Sequence, residues 1–556
     1  MTGRQFDAII VGAGFAGLYM LHKLRGLGLT AHVFEAGDDV GGTWYWNRYP
    51  GARCDVESME YSYSFDQALE QEWRWSERYA TQPEILTYAQ HVAERYDLRR
   101  DITFSTRVTA ATFDEASNLW IVETDRGQRL AARFCIMATG CLSSVNRPDI
   151  PGLDRFEGRV YQTGLWPHEA VDFTGQKVAV IGTGSSAIQS IPVIASQAAQ
   201  LTVFQRTANF VAPARNHPMS AEYEERFKAN YRELRSKMLQ GYFGALAHRE
   251  PSPLPALSVP EAERTAFYEQ GWRHGGLGIL GSYPDLLFDA GANETLAEFV
   301  RGKVRETVAD PAVAELLCPI DHPVGSKRMC IDTGYFETFN RDNVTLVDLK
   351  AEPIERITPH GIATATREFA VDAIVLATGF DAMTGTLAKI AITGRGGSTL
   401  AREWANGPAA YLGLMVEGFP NLFLITGPGS PSVLSNMLVS IEQHVDWIGD
   451  CIRTLADRQA ATIEPTAEAQ QAWVEHGNAV AAPTVYPAAK SWYTGANVPG
   501  KPRVFMAYIG GVPGYRRICE AVTRAGYAGF AIDGKAGPPP ADFMALLGMA
   551  QESAAA

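Results

Sequence analysis

Apolar and polar positions follow the same plan at two places in the chain. The segment FDAIIVGAGFAGLYMLHKL predicts a buried strand from about Phe6, a glycine turn and a helix, and TAHVFEAG predicts a second strand that ends at Glu35. QKVAVIGTGSSAIQSIPVIA repeats this plan, and LTVFQRTAN follows it. The pattern therefore predicts two Rossmann-like dinucleotide-binding units in an α/β fold.

The small residues of each turn have separate mechanical roles. The first glycine permits a tight turn, the second lets a pyrophosphate approach the backbone, and the third position must be small because helix and strand pack closely. The N-terminus of each helix then faces the negative charge. The predicted cofactor-binding residues are Gly12, Gly14, Phe15 and Gly17 in the first unit and Gly182, Thr183, Gly184, Ser185 and Ser186 in the second, where Ala187 takes the third position.

The two units differ at the end of their second strand. Counted from the first glycine, Glu35 corresponds to Gln205, and Arg206 follows Gln205. A carboxylate accepts hydrogen bonds from ribose hydroxyls but repels a 2′-phosphate, whereas an arginine binds that phosphate through charge-assisted hydrogen bonds. We therefore expect FAD in the first unit and NADPH in the second. The alternative is that Arg206 only carries a solvated charge at a strand end.

Two further apolar stretches predict the domain organisation. RFCIMATG and VDAIVLATGFD predict strands that return the chain to the two glycine turns. AEYEERFKANYRELRSKMLQGYF has helical periodicity, proline-rich PSPLPALSVP follows it, and GPPPADFMALLGMAQESAAA predicts one short helix with a frayed end. We divide the chain into residues 1–145 and 385–556 for a two-part FAD-binding domain, residues 146–212 and 324–384 for a two-part NADP-binding domain, and residues 213–323 for a helical insertion.

Composition excludes several classes of function. The chain of 556 residues is 46% hydrophobic, and its formal net charge of −13 argues against nucleic acid or an anionic membrane as partner. Seven cysteines without a C-x-x-C pair indicate neither a disulfide framework nor a dithiol redox centre, and no metal site or protein partner is predicted. A strand begins near Phe6 and no apolar run approaches the roughly 18 residues of a membrane span, so we expect a soluble, cytoplasmic protein.

Two longer motifs carry a resemblance to a family. GGTWYWNRYPGARCD has the spacing G-G-x-W-x-x-x-x-Y-P-G-x-x-x-D, and FEGRVYQTGLWP matches F-x-G-x-x-x-H-x-x-x-W-P except that Gln162 replaces the histidine. These motifs, with VFQRTAN, GSKRMCIDTGYFETFNRDNV and KSWYTGANVPGK, resemble type I Baeyer–Villiger monooxygenases over nearly the whole chain. Within that family, the loop GPGSPSVLSNM is more similar to phenylacetone monooxygenase than to cyclohexanone monooxygenase.

The resemblance implies a reaction and its reactants. NADPH reduces FAD, O2 adds at flavin C4a, and the peroxyflavin attacks a ketone carbonyl, so that the ketone becomes an ester or lactone. Some relatives also accept sulfides. Such a site must stabilise negative charge and exclude water. Arg328 matches the catalytic arginine of the family, and Asp55 matches the aspartate that positions it. Without the resemblance, Lys327 and Arg328 would pass for a solvated basic pair.

The resemblance also implies contacts for the cofactors and the substrate. Lys327, Arg206 and Thr207 are expected to hold the 2′-phosphate, and Trp492 is expected to close over NADP. Single residues of these types are also common in ordinary cores. The expected flavin contacts are Thr43, Trp44, Tyr45, Trp46, Tyr61, Val108 and Met437, and the expected substrate contacts are Ser432, Val433 and Leu434.

Three other functions compete with this interpretation. A flavin-containing N- or S-oxygenase shares both nucleotide units but lacks the GGTWYWNRYP segment and the Trp-Pro ending. A disulfide reductase would need a redox cysteine pair, which the sequence lacks. A non-catalytic NADPH sensor is suggested by Gln162 alone, whereas Arg328 and Asp55 favour an enzyme. Gln162 itself is expected to act as a hydrogen-bonding joint, and the alternative is that a proton carrier has been lost.

Overall fold

The computed structural model describes residues 5–540 and 542–547. The strands, named in chain order, are β1 Gln5–Val11, β2 Ala31–Phe34, β3 Ile102–Thr103, β4 Val108–Asp114, β5 Leu119–Thr124, β6 Arg129–Met137, β7 Arg159–Gln162, β8 Lys177–Ile181, β9 Gln200–Gln205, β10 Val211–Pro213, β11 Cys330–Asp332, β12 Val344–Asp348, β13 Ile354–Thr358, β14 Gly361–Thr364, β15 Glu368–Ala370, β16 Ala373–Leu376, β17 Ala391–Thr393, β18 Leu422–Leu424, β19 Ile463–Pro465, β20 Phe530–Ile532 and β21 Lys535–Ala536.

The helices surround these strands. They are α1 Phe15–Gly26, α2 Thr43–Trp46, α3 Gln67–Glu72, α4 Gln82–Arg95, α5 Ser185–Gln197, α6 Ala221–Ala229, α7 Tyr231–Gln240, α8 Glu261–His274, α9 Ala290–Thr307, α10 Pro311–Leu317, α11 Tyr335–Thr338, α12 Leu400–Glu403, α13 Met437–Asp457, α14 Ala467–Ala481 and α15 Val512–Arg524. No helix in the described part of the chain combines the length and the apolar character that a bilayer crossing requires. The predicted α/β class with two strand–turn–helix units is confirmed.

The first unit belongs to an eight-stranded sheet with the order β17-β4-β5-β6-β1-β2-β3, in which β18 also pairs with β6. β1 runs parallel to β2 and β6, whereas β4, β5 and β6 form antiparallel neighbours. Successive residues of β1 face opposite sides: Ala8 and Ile10 pack in the apolar cluster of α1 and α13, while Ile9 and Val11 join the cluster of β4 and β18. Both faces are buried, which explains the continuous apolar run.

The second unit forms a parallel five-stranded sheet with the order β12-β9-β8-β16-β7. Val178 and Val180 pack under α5, and Ala179 and Ile181 pack under the sheet of β13 and β14. The two predicted return strands, β6 and β16, each lie beside the first strand of their unit. A Cβ on Gly12 would lie 2.6 Å from the Ala138 carbonyl oxygen, so the return strand confines that turn.

Five helices, α6 to α10, lie between β10 and β11, and these two strands pair in parallel. The helical stretch predicted as one run is two helices, because α6 ends and α7 begins at Asn230, whose φ of −119° is not helical. At the C-terminus, residues 543–547 are helical, as predicted. The frayed end predicted for residues 548–556 lies outside the described residues.

Candidate functional site

Both glycine turns open into one cavity of about 780 Å³. The turns lie at the carboxyl ends of β1 and β8, the usual ligand position in parallel sheets. The predicted site residues that line the cavity are Gly12, Gly14, Phe15, Glu35, Thr43, Trp44, Trp46, Asp55, Tyr61, Val108, Gly182, Thr183, Gly184, Ser185, Ser186, Arg206, Thr207, Lys327, Arg328, Val433, Met437 and Trp492. Segments far apart in sequence therefore meet around one space.

The two helix N-termini fit phosphate groups. Gly14 is the N-cap of α1 and Gly184 is the N-cap of α5, and neither helix has a side-chain cap or an acidic residue in its first turn. The N–H groups of both first turns are thus available to an anion. Gly12 and Gly182 have φ of +105° and +116°, a region that favours glycine. Gly17 does not line the cavity, because it lies against the backbone of Gly12, where a Cβ would overlap the Gly12 carbonyl oxygen.

Glu35 directly follows β2 and is a buried carboxylate. Its Oε2 accepts a hydrogen bond from the Ala13 N–H at 2.7 Å, and its Oε1 accepts one from the Gly37 N–H at 2.7 Å. Burial raises the pKa of Glu35, and these two N–H groups oppose that rise. A carboxylate has acceptor capacity beyond two hydrogen bonds, so ribose hydroxyls fit the remaining positions.

The second unit has cations where the first has Glu35. Gln205 is buried, and its Nε2 donates to the Leu316 carbonyl at 2.6 Å. Burial, and then the nearby charge of Arg206, lower the pKa of Lys327. No carboxylate within the described ranges forms an ion pair with either cation. Thr183 Oγ1 donates to the Thr207 carbonyl at 2.7 Å and so ties the glycine turn to the strand end. The side-chain donors of Arg206 and Lys327 therefore fit a phosphate ester.

Arg328 and Asp55 form a two-point ion pair at the cavity wall. Arg328 Nε lies 2.6 Å from Asp55 Oδ2, and Nη2 lies 2.8 Å from Oδ1. Nη1 donates to the Val433 carbonyl at 2.8 Å. The Arg328 side chain is 28% exposed. Burial alone would lower the pKa of Arg328, but Asp55 outweighs it and holds that pKa well above its ordinary value. A permanent cation therefore faces the cavity in one fixed orientation.

Aromatic side chains from α2 and the segment after it form another part of the wall. Trp44 Nε1 donates to the Tyr61 hydroxyl at 3.1 Å, and the two rings meet edge to face with centroids 5.9 Å apart. Tyr45 was predicted to lie along the flavin, but it does not line the cavity. Its hydroxyl donates to Asp38 at 2.6 Å and its ring packs on Gly37, because neighbouring residues of a helix point in different directions.

The loop before α13 contributes one of its three predicted substrate contacts. Val433 lines the cavity, whereas Ser432 and Leu434 do not. Ser432 is fully buried with its Oγ 3.9 Å from Met383 Sδ, and Leu434 joins the apolar cluster behind the loop. Val433 belongs to the same cluster as Leu434 but also reaches the cavity wall.

Met437 and Trp492 approach the cavity from the C-terminal part of the chain. Met437 is the first residue of α13, whose N-cap Asn436 donates from Nδ2 to the Glu60 carbonyl at 2.9 Å. Trp492 is half-buried and contacts Tyr493, with ring centroids 4.2 Å apart. Burial raises the pKa of Tyr493 to about 12, and the Arg328 charge opposes that rise.

Gln162 lies at the end of the edge strand β7 and does not line the cavity. Its Nε2 donates to the Asn146 carbonyl at 3.2 Å, and the Thr378 hydroxyl donates to the same carbonyl at 2.6 Å. Trp166, four residues later, is buried against Tyr161 in stacked geometry. The position therefore has the contacts expected of a hydrogen-bonding joint.

Several cavity residues were not predicted from the sequence. Tyr49, Arg53 and Gln189 line the cavity and form one hydrogen-bonded group. Tyr49 is the fixed tyrosine of the GGTWYWNRYPGARCD motif and Arg53 is one of its variable positions, so the motif was a usable signal for both. Gln189 lies beyond the glycine turn on α5, and no local pattern distinguishes it from other helix residues.

One group outside the cavity has the composition of a metal site. Potential ligand atoms of Glu57, His248 and His274 lie within 4.8 Å of one another. Arg78 Nη2, however, lies 2.6 Å from Glu57 Oε1 and 2.8 Å from His274 Nε2. A guanidinium already supplies the positive charge among these groups, so they do not suit a metal cation.

Comparisons with known proteins agree with this geometry. A family model described as pyridine nucleotide-disulphide oxidoreductase matches residues 9–247. The chain is 43% identical over 532 residues to a Baeyer-Villiger monooxygenase of Pseudooceanicola batsensis, covering 95% of this chain and 96% of that protein. It is 41% identical over 535 residues to a phenazine N-monooxygenase of Lysobacter antibioticus, covering 95% and 97%.

A solved structure described as oxidized steroid monooxygenase bound to NADP superposes with a TM-score of 0.91 at 54% identity, covering 95% of this chain and 99% of that one. These similarities confirm the family predicted from the two long motifs, while the narrower likeness to phenylacetone monooxygenase stays a prediction. The chain belongs to the Baeyer–Villiger monooxygenases, flavoprotein enzymes that use FAD and NADPH.

Proposed function

We propose that this protein inserts one oxygen atom from O2 next to a ketone carbonyl and so produces an ester or lactone, with FAD as cofactor and NADPH as reductant. The observation that carries this proposal is the Arg328–Asp55 ion pair in a cavity shared by both glycine turns. The five-part division of the chain made from the sequence is kept as part of the proposal.

Each wall of the cavity has its own proposed task. Gly12, Gly14 and Glu35 hold the pyrophosphate and ribose of FAD, and Trp44 and Tyr61 lie along its reactive part. Gly182 and Gly184 hold the pyrophosphate of NADPH, while Arg206 and Lys327 hold its 2′-phosphate. When bound, FAD supplies the chemistry that passes electrons from NADPH to O2.

The residues near Arg328 stabilise charge and exclude water. Arg328 presents a cation that keeps its proton at any working pH, and Asp55 fixes its orientation. A positive charge held in place before the reaction stabilises developing negative charge without reorganisation. Val433, Met437 and the Trp492 ring line the space around it and limit access of water.

The substrate is proposed to be a ketone, with sulfides as a second class. Val433, whose carbonyl accepts from Arg328, and Met437 offer apolar surface in the same cavity, which suits a neutral carbonyl compound better than a charged one. The seven cysteines are all free and buried, which supports a reducing compartment such as the cytoplasm.

N-oxygenation of an aromatic or amine nitrogen is the second candidate function. It is favoured by the 41% identity to a phenazine N-monooxygenase over almost the whole chain. A nitrogen nucleophile and a ketone electrophile place opposite demands on the oxygenating species, so one substrate panel separates them. Products from aryl, cyclic and linear ketones, a sulfide and a phenazine, analysed by mass, decide between the two functions.

The test of the mechanism is Arg328→Ala in the FAD-loaded enzyme. We expect NADPH still to reduce the flavin, while ester formation falls by about 100-fold or more because the fixed charge is lost. Arg395→Ala is the matched control, since Arg395 pairs with Glu464 at 2.8 Å, is 33% exposed and does not line the cavity. Undiminished ester formation in Arg328→Ala would remove this residue from the mechanism.

A further inference from the structure

Helix α5 forms hydrogen bonds with the segment that leads to Asp55. Gln189, on the second turn of α5, is 4% exposed. Its Oε1 accepts a hydrogen bond from the Tyr49 hydroxyl at 2.8 Å and a longer one from the Arg53 N–H at 3.4 Å, and its Nε2 donates to the Arg53 carbonyl at 3.1 Å. The Gln189 amide thus bonds both the N–H and the carbonyl group of Arg53.

The backbone reinforces this contact. Gly51 has φ +78°, and a Cβ on Gly51 would overlap the main-chain carbonyl oxygen of Gln189. Only a glycine lets the segment come this close to the helix. Gly51 therefore brings the segment to the helix, and the Gln189 amide fixes its register.

The contact lies between the proposed NADP site and the Arg328–Asp55 pair. Gly184, the N-cap of α5, and Gln189 are about one and a half turns apart on one rigid helix. Arg53 precedes Asp55 by one intervening residue, and both Asp55 oxygens hold Arg328. A small movement of α5 would therefore be carried to the carboxylate that orients the catalytic cation.

We propose that Gln189 is a positioning residue that couples occupancy of the NADP site to the placement of Asp55 and Arg328. Binding of the NADP pyrophosphate at the N-terminus of α5 fixes the helix, and the Gln189 amide transmits that restraint to residues 49–55. The inference rests on the proposed cofactor assignment of the second glycine turn. The amide suits the task because it is uncharged and both donates and accepts.

The test measures hydrogen exchange of the peptide 46–56 in the FAD-loaded protein with and without NADP+. In the unmodified protein we expect NADP+ to slow amide exchange in this peptide by about tenfold or more, equivalent to about 1.4 kcal/mol. Gln189→Met keeps the length of the side chain and loses its hydrogen bonds, so most of the NADP+-induced protection should disappear. Tyr49→Phe removes one of those bonds and should give an intermediate result.

Ser190→Ala is the matched control, because Ser190 is also fully buried on α5 but donates only to the Ala187 carbonyl of its own helix. It should retain the NADP+-induced protection. A second measurement is the ratio of ester formed to NADPH consumed, which should fall about threefold or more in Gln189→Met while the rate of flavin reduction is retained.

The outcomes separate the two proposals. Full NADP+-induced protection of the peptide 46–56 in Gln189→Met overturns the coupling role. An equal lowering of melting temperature with and without NADP+, at unchanged coupling ratio, also overturns it, because that result describes a purely structural residue. If NADP+ protects neither the peptide nor the Gly182–Ser186 turn in the unmodified protein, the cofactor assignment itself fails.

Discussion

The two glycine turns share a spacing but differ in what covers them. Gly14 faces Gly42, and a Cβ on Gly14 would lie 3.2 Å from the Gly42 Cα, whereas a Cβ on Gly184 would meet no atom within 4 Å. The first turn is therefore closed over by the GGTW segment, and the second is open. The same turn thus suits a resident cofactor when a second segment covers it, and an exchanging cofactor when it is left open.

The helices that follow the two turns, α1 and α5, also differ in what covers them. Tyr19 occupies in α1 the position that Gln189 occupies in α5, and its hydroxyl donates to Asp446 of α13 at 2.9 Å. A long helix thus covers α1, while a loop segment that carries Asp55 covers α5. One helix is fixed inside the core of its unit, and the other contacts the segment that leads to Asp55.

The largest expected effect concerns the packing of α1 against the glycine turn that follows β1. Gly17→Ala should destabilise the protein by about 3 kcal/mol and release FAD, because the added methyl overlaps the Gly12 carbonyl. The reverse change in the second unit, Ala187→Gly, should cost only about 1 kcal/mol. Melting temperature and the FAD retained after gel filtration measure both. Similar losses in the two variants would show that the turns pack alike.

The next effect concerns the phosphate that only one unit is expected to bind. Arg206→Ala should weaken NADPH binding by about 1.5–3 kcal/mol and leave NADH nearly unchanged, because NADH lacks the 2′-phosphate. Dissociation constants of both cofactors measure this difference. Equal losses for NADPH and NADH would place the 2′-phosphate elsewhere.

Lys327 gives this difference a pH dependence. Its pKa is lowered by burial and by Arg206, so its charge is present at neutral pH and is lost below the ordinary lysine range as pH rises. The preference for NADPH over NADH should therefore fall about fivefold, roughly 1 kcal/mol, as pH rises from neutral to the ordinary lysine pKa of about 10.4. Lys327→Arg should keep the preference constant over that interval. A decline of the same size in Lys327→Arg would assign the pH dependence to another group.

The smallest effect concerns Gln162, on the edge strand of the second unit. Gln162→His should change the ratio of ester formed to NADPH consumed by less than about threefold, roughly 0.65 kcal/mol, because a histidine can also donate to the Asn146 carbonyl. Product yield and NADPH consumption, followed together from about pH 5 to about pH 8, test this. A large rise in coupling only at acidic pH would reveal a lost proton carrier.

Local sequence patterns predicted both units because a buried parallel strand, a glycine turn and a helix each leave a signal within a few residues. The Arg328–Asp55 pair joins residues far apart in sequence, and only the family resemblance predicted it. The antiparallel strands β4 and β5, and the way Tyr45, Ser432 and Leu434 turn from the cavity, were missed. These features depend on packing partners in other segments, which periodicity does not reveal.

The parallel pairing of β10 with β11 has a consequence for protein engineering. Because the chain leaves the second unit at Val211–Pro213 and re-enters it beside that strand, helices α6 to α10 form an exchangeable cassette. The cassette is not self-sufficient: Arg235 Nε lies 2.9 Å from Glu70, and the Leu246 N–H donates to Glu60 at 2.8 Å. In a chimaera that takes this cassette from a relative, the acidic residues on the recipient surface must therefore be matched to the new cassette.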